Sequence, residues 1–175
     1  MKNIIKSICL LLTVMFTLSV HAQTSKAAKN AAKAADLKRI IDSKCYIFAA
    51  NQAYPMGGGM INLTGINFDL KLANDTLTTF LPYYGVAYSA PLNPMDGGIK
   101  LTTTKFNYKV DQKKNGTYQI EIRPINPEVR GSGDVNWMIL NVSAGGYATL
   151  QVFCFNRQPI TFNGWLQDGS TKKAS

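Results

Sequence analysis

The 175-residue chain predicts a mainly β protein: an antiparallel meander, closed as a barrel or folded as a sandwich, behind one N-terminal α-helix. Three observations carry the prediction. Apolar and polar residues alternate with a period of two in several separate runs, the mark of strands with one face on a core and one in water. Turn-forming residues recur between those runs. The one stretch of helical composition lies ahead of all of them.

The first 22 residues read as a secretory signal. Lys2 and Lys6 precede an apolar run from Ile8 to Val20, and Val20 and Ala22 place small residues at the cleavage positions. That run is shorter than the ~20 helical residues needed to span a bilayer, so cleavage after Ala22 is expected. Cys9 has no small-residue cleavage box just before it, which argues against lipoprotein processing. The expected organisation is a signal peptide at 1–22, a basic Ala/Lys-rich helix at 23–45, a single antiparallel β domain at 46–168 and a tail at 169–175. The mature chain is expected to be exported to the periplasm or cell surface, soluble and without a transmembrane segment.

The helix is "TSKAAKNAAKAADLKRIIDSKC", rich in alanine and lysine and free of proline and glycine. Its first half has little apolar area, whereas Leu37, Ile40 and Ile41 give the second half a face to dock with. Beyond Cys45 the period becomes two. Ile66, Phe68, Leu70 and Leu72 alternate with polar residues, as do Phe106, Tyr108 and Val110, and then Tyr118, Ile120 and Ile122. "NWMILNV" and "ATLQVFCF" are apolar on both faces, as central strands are. Asn115-Gly116 predicts a hairpin turn, and "SAGGYA" and "NGW" mark further turns or bulges. "AYPMGGGMINLTG" and "PLNPMDGG" read as flexible connections. About nine short strands result.

"FLPYYGVAYSAP", residues 80–91, holds three tyrosines, two prolines and a glycine. Pro82 removes a ladder donor and Gly85 widens the allowed backbone angles, so a strand from Leu77 to Leu81 is expected to kink here. Its tyrosines can fill a core edge with their hydroxyls in water, or form an aromatic platform for a flat ligand. The core reading is the stronger of the two.

Charge and residue inventory exclude more than they assign. Loss of Lys2 and Lys6 lowers the formal charge from +9 to +7, and most of the excess sits in the helix and the tail. A nucleic-acid partner needs a dense basic groove beside exposed aromatics, which the strand region lacks. The only histidine, His21, leaves with the signal peptide. Serine–histidine and cysteine–histidine nucleophile pairs, and histidine metal sites, go with it. No phosphate loop occurs, since "MGGGM" lacks the following Lys-Ser/Thr. Neither a metal nor a cofactor is expected, and no catalytic residue is assigned. Of the carboxylates a glycan hydrolase would need, Glu121 falls on a polar face, while Asp75, Asp96, Asp111 and Asp134 fall in turn-like contexts. Cys45 and Cys154 survive cleavage and can either form one disulfide or stay as two free thiols.

"LPYYGVAYSAP", "GGIKL", "AGGYATLQV" and "RQPITFNGWL" together resemble domain of unknown function 4251, a family of small exported proteins of Gram-negative bacteria. The resemblance runs from about Lys44 to Leu166. It implies a β-rich exported domain behind a signal sequence and transfers no activity, substrate or catalytic residue. In that pattern a second aromatic and a basic residue stand where this chain has Tyr84 and Val86, and an apolar Val86 speaks against a need for positive charge. "DTL" at 75–77 resembles an O-glycan acceptor of bacteria that carry the family, with Thr76 as the attachment point.

Three functions compete. The first is a non-catalytic binding module for a small apolar or glycan ligand, with Tyr83, Tyr84, Tyr88, Trp137 and Trp165 as candidate contacts. A barrel of this size either encloses such a ligand or is filled by its own side chains. The second is a structural or interaction protein of the cell envelope that docks through the basic helix. The third is a carboxylate-dependent glycan hydrolase.

Overall fold

The computed structural model describes residues 28–64, 67–89 and 97–170. The signal peptide expected at 1–22, the first residues of the expected helix, most of "PLNPMDGG" and the tail from 171 onward lie outside the described residues.

Residues 28–42 form the helix, α1. Leu37, Ile40 and Ile41 are all buried, as their spacing predicts, and the residues ahead of them are exposed. Lys44 adopts a left-handed conformation (φ 50°) that ends the helix and turns the chain into the sheet. Ten strands follow: β1 (Tyr46–Pro55), β2 (Ile61–Asn62), β3 (Phe68–Ala73), β4 (Thr76–Leu81), β5 (Ile99–Thr103), β6 (Phe106–Gln112), β7 (Tyr118–Pro124), β8 (Val135–Val142), β9 (Tyr147–Cys154) and β10 (Ile160–Asp168). Nine of them form one antiparallel sheet in the order β5-β4-β3-β1-β10-β9-β8-β7-β6, with β2 paired to β1 off that path. The sheet curls until it is nearly closed into a barrel, which decides between the two architectures.

Turn chemistry places the strands. Asn74 and Asp75 both have positive φ (50° and 60°), as a two-residue type I′ hairpin between β3 and β4 requires. The hairpin expected at Asn115-Gly116 joins β6 to β7, closed by the Lys113 amide donating to the Thr117 carbonyl at 2.8 Å. The connection expected to be flexible after Ala53 is more ordered than its glycines suggest. β1 runs on to Pro55, and β2 folds back so that Ile61 and Asn62 pair with Ala53 and Gln52.

The two ends of the sheet are consecutive in sequence. β5 and β6 do not pair, and only residues 104 and 105 separate them. The chain therefore closes the barrel covalently: its first half bonds to β4, its second half to β7. Inward positions are filled. Phe48, Leu70, Leu77, Ile120, Ile122, Met138, Leu140, Leu150, Val152 and Phe162 are wholly buried in one cluster that also takes in α1. Inside it, Tyr46 on β1 donates its hydroxyl to that of Tyr108 on β6 at 3.3 Å.

The "NGW" glycine has a steric task. β1 carries a bulge between Ala50 and Gln52 where it faces Gly164. A Cβ on Gly164 would lie 2.0 Å from the Ala49 carbonyl oxygen. Gly164→Ala is therefore expected to cost about 2 kcal/mol or more and to lower the melting temperature by several degrees. Gly145→Ala, with its nearest neighbour 4.0 Å away, should leave it unchanged; equal melting temperatures for the two variants would refute the steric role.

α1 is tied to β10 by charge as well. The Arg39 guanidinium reaches Asp36 at 2.9 Å and Asp168 at 2.7 Å. Hydrogen bonds from Ser170, then from Arg39, hold the Asp168 carboxyl down at about 2. A depressed carboxylate stabilises the fold above its unfolded value near ~3.9 and loses that contribution as pH falls toward its folded value. The protection factors of the amides of residues 37–42, corrected for the intrinsic exchange rate, are thus expected to fall between about pH 4 and pH 2, with a smaller step in Asp168→Asn.

Candidate binding surface

The tyrosine-rich segment divides into a structural and an exposed part. β4 stops at Leu81, the chain bends, and Ala87 returns to bridge with Arg157, while the Tyr88 amide donates to the Asn156 carbonyl at 2.8 Å. Tyr83 lies inside the bend. Its hydroxyl shares one proton between the carbonyls of Val86 (2.9 Å) and Gln158 (3.1 Å), and the Arg157 guanidinium sits 4.9 Å from its ring centre. A side chain at Gly85 would meet the Tyr83 hydroxyl at 2.8 Å, so the glycine makes room for this packing. Tyr84 and Tyr88 stand at the surface, and Tyr88 is 67% exposed. Tyr83 follows the core reading. Its two neighbours do not.

Arg157 is the hub of this end of the barrel. Its Nε donates to Asp134 at 2.9 Å, a second nitrogen bonds the same carboxylate, and further donations reach the carbonyls of Gly98 (2.6 Å) and Ser132 (3.2 Å). Asp134 is 1% exposed and Arg157 8%. One buried guanidinium thus fastens the segments at 97–98, 132–134 and 82–88 to the chain beyond β9. Asp134, expected in a plain turn, is instead the counter-ion of a buried cation. Arg157 itself stood out by no periodicity, because its partner is 23 residues away on the far side of β9. Removing one partner strands the other charge, so Arg157→Met is expected to cost about 3–5 kcal/mol in denaturant unfolding. Asp134→Leu added to it should restore part of that stability; a single variant as stable as the parent would show that the hub holds nothing.

Beside the hub, a cleft of about 390 Å³ runs along the free edge of β5, lined by Lys100, Thr102, Asn126, Glu128 and Ser132 among others. The Lys100 amide donates across it to the Ser132 carbonyl at 3.0 Å. This polar cleft marks where the β7–β8 loop covers the gap between β5 and β6.

The cysteines do not meet. Both are free thiols. Cys45 precedes β1 and bonds Gly169 through its carbonyl, whereas Cys154 ends β9 opposite Val135. The ten residues of β1 separate those two ends of the barrel by roughly 30 Å, far beyond disulfide reach. The Cys45–Cys154 bridge allowed by the sequence is therefore not formed. Burial pushes the Cys154 thiol up to about 12, which keeps it protonated.

The two tryptophans lie on the outside of the barrel, at opposite ends of one face. Trp165 on β10 meets Tyr147 on β9 edge-on, with ring centres 5.5 Å apart, and is 49% exposed. Trp137 on β8 packs against Phe153 on β9 at 4.6 Å, with the Arg123 guanidinium 4.4 Å from its ring centre. Arg123 is itself ion-paired with Glu121. The candidate residues thus form two groups rather than one: Tyr83, Tyr84 and Tyr88 beside Arg157, and Trp137 and Trp165 on the β8–β10 face. Thr76, the sequence's O-glycan candidate, opens β4 directly after the Asn74-Asp75 turn and is half-buried.

Fold and surface define a small antiparallel barrel whose interior is occupied by its own side chains and whose exposed aromatics sit outside. The chain belongs to the family Domain of unknown function (DUF4251), whose model matches residues 28–166. The match begins at the first described turn of α1 and ends on β10, so helix and barrel together make the family's unit. A crystal structure of a DUF4251 family protein from Bacteroides eggerthii DSM 20697 is similar in fold, with a TM-score of 0.57 and 18% identity over 81% of this chain and 91% of that one. No curated protein matches the chain.

Proposed function

We propose that the protein is exported and works without catalysis, as a binding domain that takes a carbohydrate on the outside of a filled barrel. The observation that carries this reading is the pair of aromatic clusters, Tyr147–Trp165 and Trp137–Phe153, on one outward face. Tyr147 and Trp165 are exposed and Trp137 and Phe153 half-buried; such rings offer a flat apolar surface, and sugars present flat apolar faces edged with hydroxyls. An apolar ligand enclosed by the strands has no support, because the inward positions are taken by wholly buried side chains. Hydrolysis lacks support too: Asp134 is buried against Arg157, and Glu121 is paired with Arg123. The envelope-docking alternative is weaker on geometry, since α1 buries its apolar residues in the barrel and commits Arg39 to Asp36 and Asp168. Export rests on the Lys2–Ala22 pattern, and Thr76 is the proposed O-glycan acceptor.

Affinity electrophoresis through gels containing neutral polysaccharides is expected to retard the mature chain, and Trp165→Ala is expected to migrate more freely. Protein recovered from its host should begin at Gln23. Unretarded migration in every polysaccharide, with a melting temperature raised by lipid extracts instead, would overturn the carbohydrate reading.

A further inference from the structure

The register of the strands shows what lies between the two aromatic clusters. Alternation with the buried residues puts Gln119, Glu121 and Arg123 of β7 on the outer face, with Trp137, Ile139 and Asn141 of β8. Tyr147, Thr149, Gln151 and Phe153 of β9 and Thr161, Asn163 and Trp165 of β10 join them. Cross-strand pairing aligns Gln119 with Asn141, Asn141 with Thr149, Thr149 with Asn163, and Asn163 with Gln52 of β1. One belt of amides and a hydroxyl thus runs across five strands. The Thr149 hydroxyl donates to the Asn163 side-chain oxygen at 2.9 Å, which leaves the Asn163 amide nitrogen as a donor. The next belt pairs Ile139 with Gln151 and Gln151 with Thr161. Along β9 the order is therefore aromatic, hydroxyl, amide, aromatic.

Charge narrows the occupant. The whole chain carries a formal +9, yet among these described outward residues of β7–β10 the charges are Glu121 and Arg123, which neutralise each other. The next ones, Lys109 and Asp111 on β6, are paired with each other at 3.0 Å. Nucleic acid, anionic lipid or an acidic chain would require a basic surface that this face lacks. A partner protein would need a contiguous apolar patch at the centre of its footprint, where this face has amides and hydroxyls instead. A neutral, hydroxyl-rich molecule satisfies both the belts and the clusters.

We infer that a linear, uncharged glycan lies along β9, stacked on Tyr147–Trp165 at one end and on Phe153–Trp137 at the other, with its hydroxyls held by Thr149, Asn163 and Gln151. Phe153 stands six positions beyond Tyr147 on β9, a span of about 20 Å that accommodates about four linked sugar rings. The inference rests on the carbohydrate reading above and adds length, charge and direction to it.

The test is calorimetric titration of the mature chain with cello-, malto- and chito-oligosaccharides of two to six rings, beside polygalacturonate fragments of the same lengths. Affinity for at least one neutral series is expected to climb up to about four rings and then level off, with the acidic fragments binding at least tenfold more weakly. Trp165→Ala and Phe153→Ala, both on outward positions, are each expected to weaken four-ring binding about tenfold. Gln151→Leu should weaken it while the melting temperature stays put. A flat length dependence or a preference for the acidic fragments overturns the inference and leaves the carbohydrate reading standing, whereas binding indifferent to all three substitutions overturns the inference and removes the aromatic clusters as support for that reading. No binding to any series, together with unretarded migration in the polysaccharide gels, overturns both.

Discussion

The interior of this barrel is full, and that constraint orders everything else. Wholly buried aliphatic and aromatic side chains occupy the inward positions from β1 round to β10. Close packing of that kind leaves no room for a guest and tolerates few polar groups. The exception proves its cost: Arg157 enters a buried site only with Asp134 and two carbonyls around its guanidinium. What those bonds achieve is topological. They fasten the loop after β7 and the return from β4 over the gap that β5 leaves when it fails to pair with β6.

β1 holds the middle of the sheet, with β3 on one side and β10 on the other. The pairing of Tyr46 with Asp168 therefore joins the first residue of the first strand to the last residue of the final one. Contacts of such long sequence separation form late and slowly. The Arg39–Asp168 pair brings α1 to the same junction, and the family match takes in the helix along with the strands. A likeness of 18% identity to the Bacteroides eggerthii protein carries the fold and nothing finer.

Local signals were legible in the sequence, long-range ones were not. Alternation at Leu70, Leu72, Ile120 and Ile122 identified inward positions correctly, as did the trio Leu37, Ile40 and Ile41. Asn115-Gly116 announced its hairpin because glycine readily takes the positive φ (78°) that Gly116 has in the turn. Val110, by contrast, alternates with Phe106 and Tyr108 yet is 37% exposed, since β6 ends the sheet and outruns its cover. The Arg157–Asp134 pair and the amide belt share a different obstacle. Gln119, Asn141, Thr149 and Asn163 belong to four separate strands, and only their register makes them neighbours. Trp137 and Trp165 could be chosen by residue type, but not placed on one face. Tyr83, legible both as core edge and as platform, packs against Arg157, in keeping with the first of those readings.

The separation of Cys45 from Cys154 has a consequence for biogenesis. With no cross-link between Cys45 and Cys154, the described fold is reached without an oxidising step at either thiol. On the exported reading, then, redox chemistry cannot keep the polypeptide translocation-competent while it is still inside the cell. Topology can: as long as β10 is on the ribosome, β1 has no partner on that side and the cylinder stays open. Until β10 is made, the half-sheet that ends on β1 and the half-sheet that ends on β9 have no strand to join them.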